Sequence, residues 1–126
     1  MASLTTIVSP ELAPPGGWYS FGIATGDLVF CAGAIAVDQD GKVVGGTVGE
    51  QTKKVIENLE VVLKAAGSSL DRVVKTLCFL VDIDAFAEFN EAYAEMFGSH
   101  YPARSTVAVA GLVKDALVEI ECIAVR

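Results

Sequence analysis

The sequence predicts an α+β domain: one mixed β-sheet with two helices packed on one of its faces. Three observations carry that reading. The chain has 126 residues, a length that supports a single domain around one core. Two segments, from Val48 to Ala66 and from Phe86 to Phe97, repeat apolar residues at helical spacing. Between them lies a β-branched run, Val73 to Val81, and further strand-like runs flank the pair on both sides. The order is β-β-β-α-β-α-β-β. One sheet with both helices on one side is the simplest arrangement for it. The other sheet face is then apolar and uncovered.

Residues 1–8 read as a short first strand. Pro10, Pro14, Pro15, Gly16 and Gly17 mark a loop, too short to link domains. It leads Trp18, Tyr19 and Phe21 into a strand expected from Tyr19 to Ala24. Gly26-Asp27 is a turn signal. Leu28 to Val37 reads as an apolar strand containing Gly33, a residue that marks a bulge or a close approach by another group. Asp40-Gly41 is a hairpin turn returning through Val43 and Val44. Thr47 and Glu50 have capping-box spacing at the start of the first helix. Gly67 stands where a C-terminal cap belongs. Asp84 is expected to cap the second helix and Gly98 to end it. Asn90 falls on that helix's apolar face, which predicts a buried hydrogen-bond partner.

The segment from Tyr101 to Arg126 holds the last two strands, joined by a Gly/Lys/Asp turn, and concentrates the unusual charges. Pro102 stands at the start of the first strand, where a missing N–H does least harm. Arg104 follows, and Glu119 and Glu121 lie in the second strand. A guanidinium at a strand's start offers a planar fork suited to a carboxylate. The competing assignment is a buried salt bridge to Glu119 or Glu121. Those two glutamates share a strand face. Lys75, on an apolar strand, is expected to reach solvent or pair with an acid.

Composition narrows the function classes. Sixteen acidic residues against nine basic ones give a formal charge of −7, which argues against a broad nucleic-acid contact. No apolar run approaches the roughly 18 residues of a membrane span. The first residues lack a basic segment followed by an apolar core, so no signal peptide is expected. The hydrophobic fraction is 52% and the mean hydropathy +0.50. So much apolar content in a small chain predicts a homo-oligomer that buries the excess. Cys31, Cys78 and Cys122 are widely spaced within apolar runs. That pattern suits buried thiols in a reducing compartment such as the cytoplasm. The single histidine, His100, has no partner at ligand spacing, so no metal is expected.

Pro102-Ala103-Arg104-Ser105, followed after about a dozen residues by Val118-Glu119-Ile120-Glu121, resembles the C-terminal signature of the RidA/YjgF family of enamine/imine deaminases. Ala65-Ala66-Gly67, Val73-Val74-Lys75-Thr76, the Asp84-Asn90-Tyr93 helix and Tyr19-Ser20 after a Gly-rich loop extend the resemblance over nearly the whole chain. The resemblance implies a chorismate-mutase-like fold and a homotrimer with a pocket at each subunit interface. It also implies hydrolysis of small 2-imino or 2-enamino acids to 2-keto acids and ammonia, without metal or organic cofactor. By the same resemblance, Arg104 binds the substrate carboxylate. Glu119 holds the attacking water, with the Thr106 backbone carbonyl as second holder. Gly33 and Tyr19 line the pocket, Tyr19 from the neighbouring subunit. Glu121 is assigned a structural or interfacial role.

Three places depart from the family pattern. Tyr-Ser-Gln becomes Tyr19-Ser20-Phe21, Ser-Gly-Gln becomes Ala32-Gly33-Ala34, and Leu-Pro-Lys becomes Leu112-Val113-Lys114. Losing the serine's hydrogen bond to a charged group costs roughly 1.5–3 kcal/mol. A less polar pocket is expected, suiting a bulkier imino acid or weakening turnover. Ala32 and Ala34 also motivate an alternative: a non-catalytic carboxylate-binding or sensor protein on the same scaffold. Ribonuclease activity, an older description of the family, fits poorly with the acidic charge and the lack of a basic groove.

Overall fold

The computed structural model describes residues 3–126. Six strands form one sheet in the order β1-β2-β3-β6-β4-β5. They are β1 (Thr5–Ile7), β2 (Gly22–Thr25), β3 (Leu28–Ala34), β4 (Val73–Leu80), β5 (Ala103–Ala108) and β6 (Val118–Val125). β4 and β5 run parallel and the other neighbours antiparallel, so the sheet is mixed as expected. The expected strand over residues 1–8 is β1; positions 1 and 2 lie outside the described residues.

Helix α1 (Val48–Ala65) begins as its sequence predicts. Thr47 Oγ1 accepts from the Glu50 N–H at 3.1 Å, and the Glu50 carboxylate reaches back to the Gly46 N–H at 3.4 Å. It ends at Gly67, whose φ of +82° is one that side chains disfavour. There the Ser68 N–H bonds back to the Leu63 carbonyl at 2.8 Å, closing a Schellman-type cap. Val55, Ile56, Leu59 and Leu63 are fully buried against the sheet.

Helix α2 (Phe86–Phe97) lies beside α1 on the same sheet face. Its start corrects one expectation. The capping carboxylate is that of Asp82, which accepts from the Asp84 N–H at 2.9 Å and opens a 3-10 turn at Ile83–Ala85. Asp84 lies inside that turn, and Ala85 precedes α2 with no side-chain cap. Glu88 in the first turn of α2 accepts from the Gly49 N–H at 2.6 Å. It thereby supplies negative charge to the N-terminus of α1.

Two strand boundaries are also corrected. β2 starts at Gly22, not Tyr19, because its partners stop there: Gly22 pairs with Ile7 on one side and Cys31 on the other. Trp18 and Tyr19 therefore sit in an exposed loop. β3 ends at Ala34, not Val37. Its pairing with β6 is irregular between Cys31 and Ala34, the bulge expected at Gly33. Beyond it, Asn58 of α1 donates to the carbonyls of Ile35 and Val37 at 3.1 and 3.0 Å, and these replace ladder bonds. The Asp40-Gly41 hairpin returns only as a single bridge between Val37 and Val43.

Alternation along β6 sets the layers. Val118, Ile120, Cys122 and Ala124 are buried beneath the helices, and Glu119 and Glu121 point to the other face. That second face has no cover: Leu28 is 38%, Phe30 42% and Val107 42% exposed. The three cysteines are free and buried. Among the described residues no helix is long and apolar enough to cross a membrane.

Removing the α1 cap gives a stability test independent of any chemistry. Thr47→Ala is expected to lower the unfolding free energy by about 1 kcal/mol, read as a shift of the urea midpoint at unchanged slope.

Candidate active site

β5 is an edge strand. Just beyond it the Val109 N–H bonds to the Leu80 carbonyl at 2.8 Å. Backbone groups alternate in direction along a strand, so those of Arg104, Thr106 and Ala108 face the free edge. The Thr106 carbonyl is thus available there as an acceptor. The Thr106 hydroxyl is buried and has no hydrogen-bond partner among the described residues.

The Arg104 side chain lies on the helix side of the sheet. Its Nη1 donates to Asn90 Oδ1 at 2.8 Å. Its Cζ sits 4.8 Å from the ring centre of Tyr93, 5.4 Å from Phe86 and 5.7 Å from Phe89. These rings attract a cation without neutralising it. Among the described residues Arg104 has no carboxylate partner; the ion pairs are Lys53–Glu95, Lys54–Glu57 and Lys64–Glu60. The salt bridge weighed against a binding role is therefore not formed. Asn90 does have the expected partner but is exposed, because its contact is at the sheet edge. A cavity of about 400 Å³ opens beside this group, lined by Asn90, Tyr93, Tyr101, Pro102 and Arg104 among others.

Tyr19, Gly33 and Glu119 form a second group. They line a cavity of about 520 Å³ together with Phe21, Ile35 and Lys114. Gly33 is required by contact rather than by conformation. A Cβ built there would stand 2.6 Å from Glu119 Oε2, so only a bare backbone lets the carboxylate lie across it. The five sequence-predicted site residues thus fall into two sets. Arg104 and Thr106 flank the sheet's free edge, while Tyr19, Gly33 and Glu119 share one cavity; a single chain does not unite them.

Comparison with known proteins is consistent along the whole chain. The model of the Endoribonuclease L-PSP family matches residues 10–126. The chain belongs to this family, the RidA/YjgF family. It is 50% identical over 112 residues to the mitochondrial protein mmf2 of Schizosaccharomyces pombe, across 86% of this chain and 88% of that one. Among solved structures, the YjgF gene product of E. coli superposes with a TM-score of 0.91 at 36% identity, over 97% of this chain and 98% of that one. E. coli TdcF with bound serine gives the same TM-score, identity and coverage.

Within this RidA/YjgF fold burial shifts the Glu119 carboxyl and the Cys78 thiol. Partial burial raises the pKa of Glu119 above the ordinary glutamate value, and the nearby Glu121 charge raises it further. Burial pushes the Cys78 thiol up to about 11, against the opposing Thr76 hydroxyl and Arg104 charge. Such a thiol is no nucleophile at neutral pH, and the cysteines remain core residues. Among the described residues Lys75 pairs with no acid; its Nζ donates to Ser105 Oγ at 3.0 Å on the uncovered face. Among the described residues no group of three or more His, Cys, Asp or Glu side chains could hold a metal ion.

Sequence reasoning missed two parts of the site. One is the bed of Phe86, Phe89 and Tyr93 under the guanidinium; the i, i+3, i+7 spacing is visible, but it reads equally as core. The other is Lys114, whose φ of +57° aims its ammonium at the Gly41 carbonyl across the cavity rim. No sequence signal announces that conformation for a lysine.

The raised pKa of Glu119 makes a signed prediction. A carboxyl whose folded pKa exceeds its unfolded one stabilises the fold fully below the unfolded value, and that contribution is lost as pH rises through the folded value. Glu119→Gln should therefore be more stable than wild type at neutral pH. The difference should vanish in acid, below the ordinary glutamate range, as read by urea unfolding across pH.

Proposed function

We propose that this RidA/YjgF chain is a hydrolytic deaminase. It converts 2-imino and 2-enamino acids to 2-keto acids and ammonia, in a homotrimer whose sites lie between subunits. One observation carries the reading: among the described residues neither Arg104 nor Glu119 has a charge partner, and they lie on opposite faces of one sheet. A site that uses both draws Arg104 and Thr106 from one copy and Glu119, Gly33 and Tyr19 from the next. Serine bound to E. coli TdcF is a carboxylate-bearing ligand of the same general size class. The reading needs no metal or organic cofactor, no nucleic acid and no membrane. Free buried thiols favour a reducing compartment, the cytoplasm.

The chemistry follows from the groups available. The Arg104 fork pairs with the substrate carboxylate and fixes the iminium carbon. Water, held between the Glu119 carboxylate and the Thr106 carbonyl, adds its oxygen to that carbon and gives a proton to Glu119. The C=N bond becomes a C–N single bond. Glu119 passes the proton to the nitrogen, the C–N bond breaks, and the carbinol oxygen loses its proton as the keto group forms. Water and iminium are consumed; keto acid and ammonium are released.

A carboxylate-binding protein without turnover is the second reading, favoured by the methyl groups of Ala32 and Ala34 beside Gly33. It would be stabilised thermally by 2-keto acids while releasing no ammonia.

Ammonia release from imines generated by an amino-acid oxidase is the direct assay. Arg104→Ala should lower kcat/KM by at least about tenfold, since a hydrogen bond to a charged group contributes roughly 1.5–3 kcal/mol. Unchanged turnover would remove the proposal's basis. The shared site has its own test. Arg104→Ala and Glu119→Gln should each be strongly impaired, yet refolding them together should restore about a quarter of the sites to wild-type turnover in a cyclic assembly. Sites contained in one chain would stay impaired in the mixture.

A further inference from the structure

We infer that the site prefers 2-imino acids with large apolar side chains, of the branched aliphatic or aromatic kind. This rests on the deaminase reading and names its substrate class. The cavity beside Glu119 is walled mainly by apolar groups, Tyr19, Phe21, Ala32, Ile35 and Val113 among them. Of its two charged side chains, Glu119 is assigned to water, and the Lys114 ammonium is already bonded to the Gly41 carbonyl. A narrower recess of about 70 Å³ continues from the same wall. It shares Tyr19, Phe21, Ala32 and Gly33, then passes Ala34 to Leu59 and Val62 of α1.

The substrate's reacting carbon carries three substituents. Its carboxylate goes to Arg104 and its nitrogen must stay within reach of the Glu119 proton. The third substituent, the side chain, is left to face the Tyr19/Phe21 wall and the recess. A methyl group would leave that apolar surface wet, whereas an isobutyl or benzyl group would cover it. The small side chains of Ala32 and Ala34 keep the recess open. Its polar side chains are the Tyr19 hydroxyl at the shared wall, the Asn58 amide, which is spent on Ile35 and Val37, and the Asp38 carboxylate, whose Oδ1 already accepts from the Asp40 and Lys42 N–H groups.

The test compares imines generated in situ from alanine, leucine and phenylalanine. Each methylene in an apolar pocket changes kcat/KM by about tenfold or more, so the leucine-derived imine should exceed the alanine-derived one by at least that factor. Ala34→Leu, which fills the recess, should erase the advantage while the circular dichroism spectrum is retained. Equal or better turnover of the alanine-derived imine by wild type would overturn the inference and leave the deaminase reading intact. Turnover of none of the three would instead defeat the deaminase reading. The side-chain preference is then read by binding. Trp18, the single tryptophan, is exposed and lies in sequence between Gly17 and Tyr19, which line the cavity, and its fluorescence should report tighter binding of 4-methyl-2-oxopentanoate than of pyruvate. Equal affinity for the two keto acids would overturn the preference.

Discussion

The helices cover one face of the sheet and leave the other bare, and the remaining features of the molecule depend on that asymmetry. Alternation along a strand is strict, so a residue's position fixes its side. Arg104 registers with Thr76, a buried residue under α2, and so faces the helices. Glu119 pairs with Phe79 on β4 and faces away. A one-residue slip would exchange these sides and also push Ile120 and Cys122 out of the core. Burial of the apolar set therefore holds the charged set in place.

The same asymmetry decides the electrostatics. Under α2, Arg104 meets only neutral partners: one amide and three aromatic rings. The amide fixes the guanidinium's orientation and leaves its charge unspent. A carboxylate at position 90 would satisfy the same geometry but close the ion pair internally. On the bare face, partial burial raises the cost of ionising Glu119, and the nearby Glu121 charge adds to it. Among the described residues the fold thus holds Arg104 with no carboxylate partner and Glu119 as a carboxylate whose ionisation is disfavoured. Strain of this sort concentrates where a ligand is meant to relieve it.

Most of the architecture is legible in the sequence because it follows local rules. The period of α1, its Thr47 cap and Gly67 stop, and the alternation of β6 are set by residues within a few positions of each other. The two misplaced strand boundaries depend on distant partners, and the misplaced helix start on a local 3-10 turn. Tyr19 is a good strand residue in propensity, yet β2 starts at Gly22 because its register with β1 ends at Ile7 and with β3 at Cys31. Val37 leaves the ladder because Asn58, on another element, takes its carbonyl. Asp82 displaces Asp84 as the cap because a 3-10 turn precedes α2. Of the site, residue identities are visible through the family signature, but the separation of Arg104 from Glu119 is not. That separation depends on which strand lies at the edge, and strand order is a property of the whole sheet.

Strand order also imposes a second demand. β5 presents unpaired backbone groups along a free edge, and the bare face presents Leu28, Phe30 and Val107. Either feature alone invites uncontrolled association. They differ in kind, one an edge and the other a face, so a contact that joins them is head-to-tail rather than self-complementary. Head-to-tail contacts form closed rings when the rotation permits and open fibres when it does not. With seven excess negative charges per chain, a long fibre would accumulate repulsion that a small ring limits. A closed ring would shelter both surfaces and bring the Arg104 edge of each copy to the Glu119 face of the next. Protection from aggregation and completion of the site are then met by one contact.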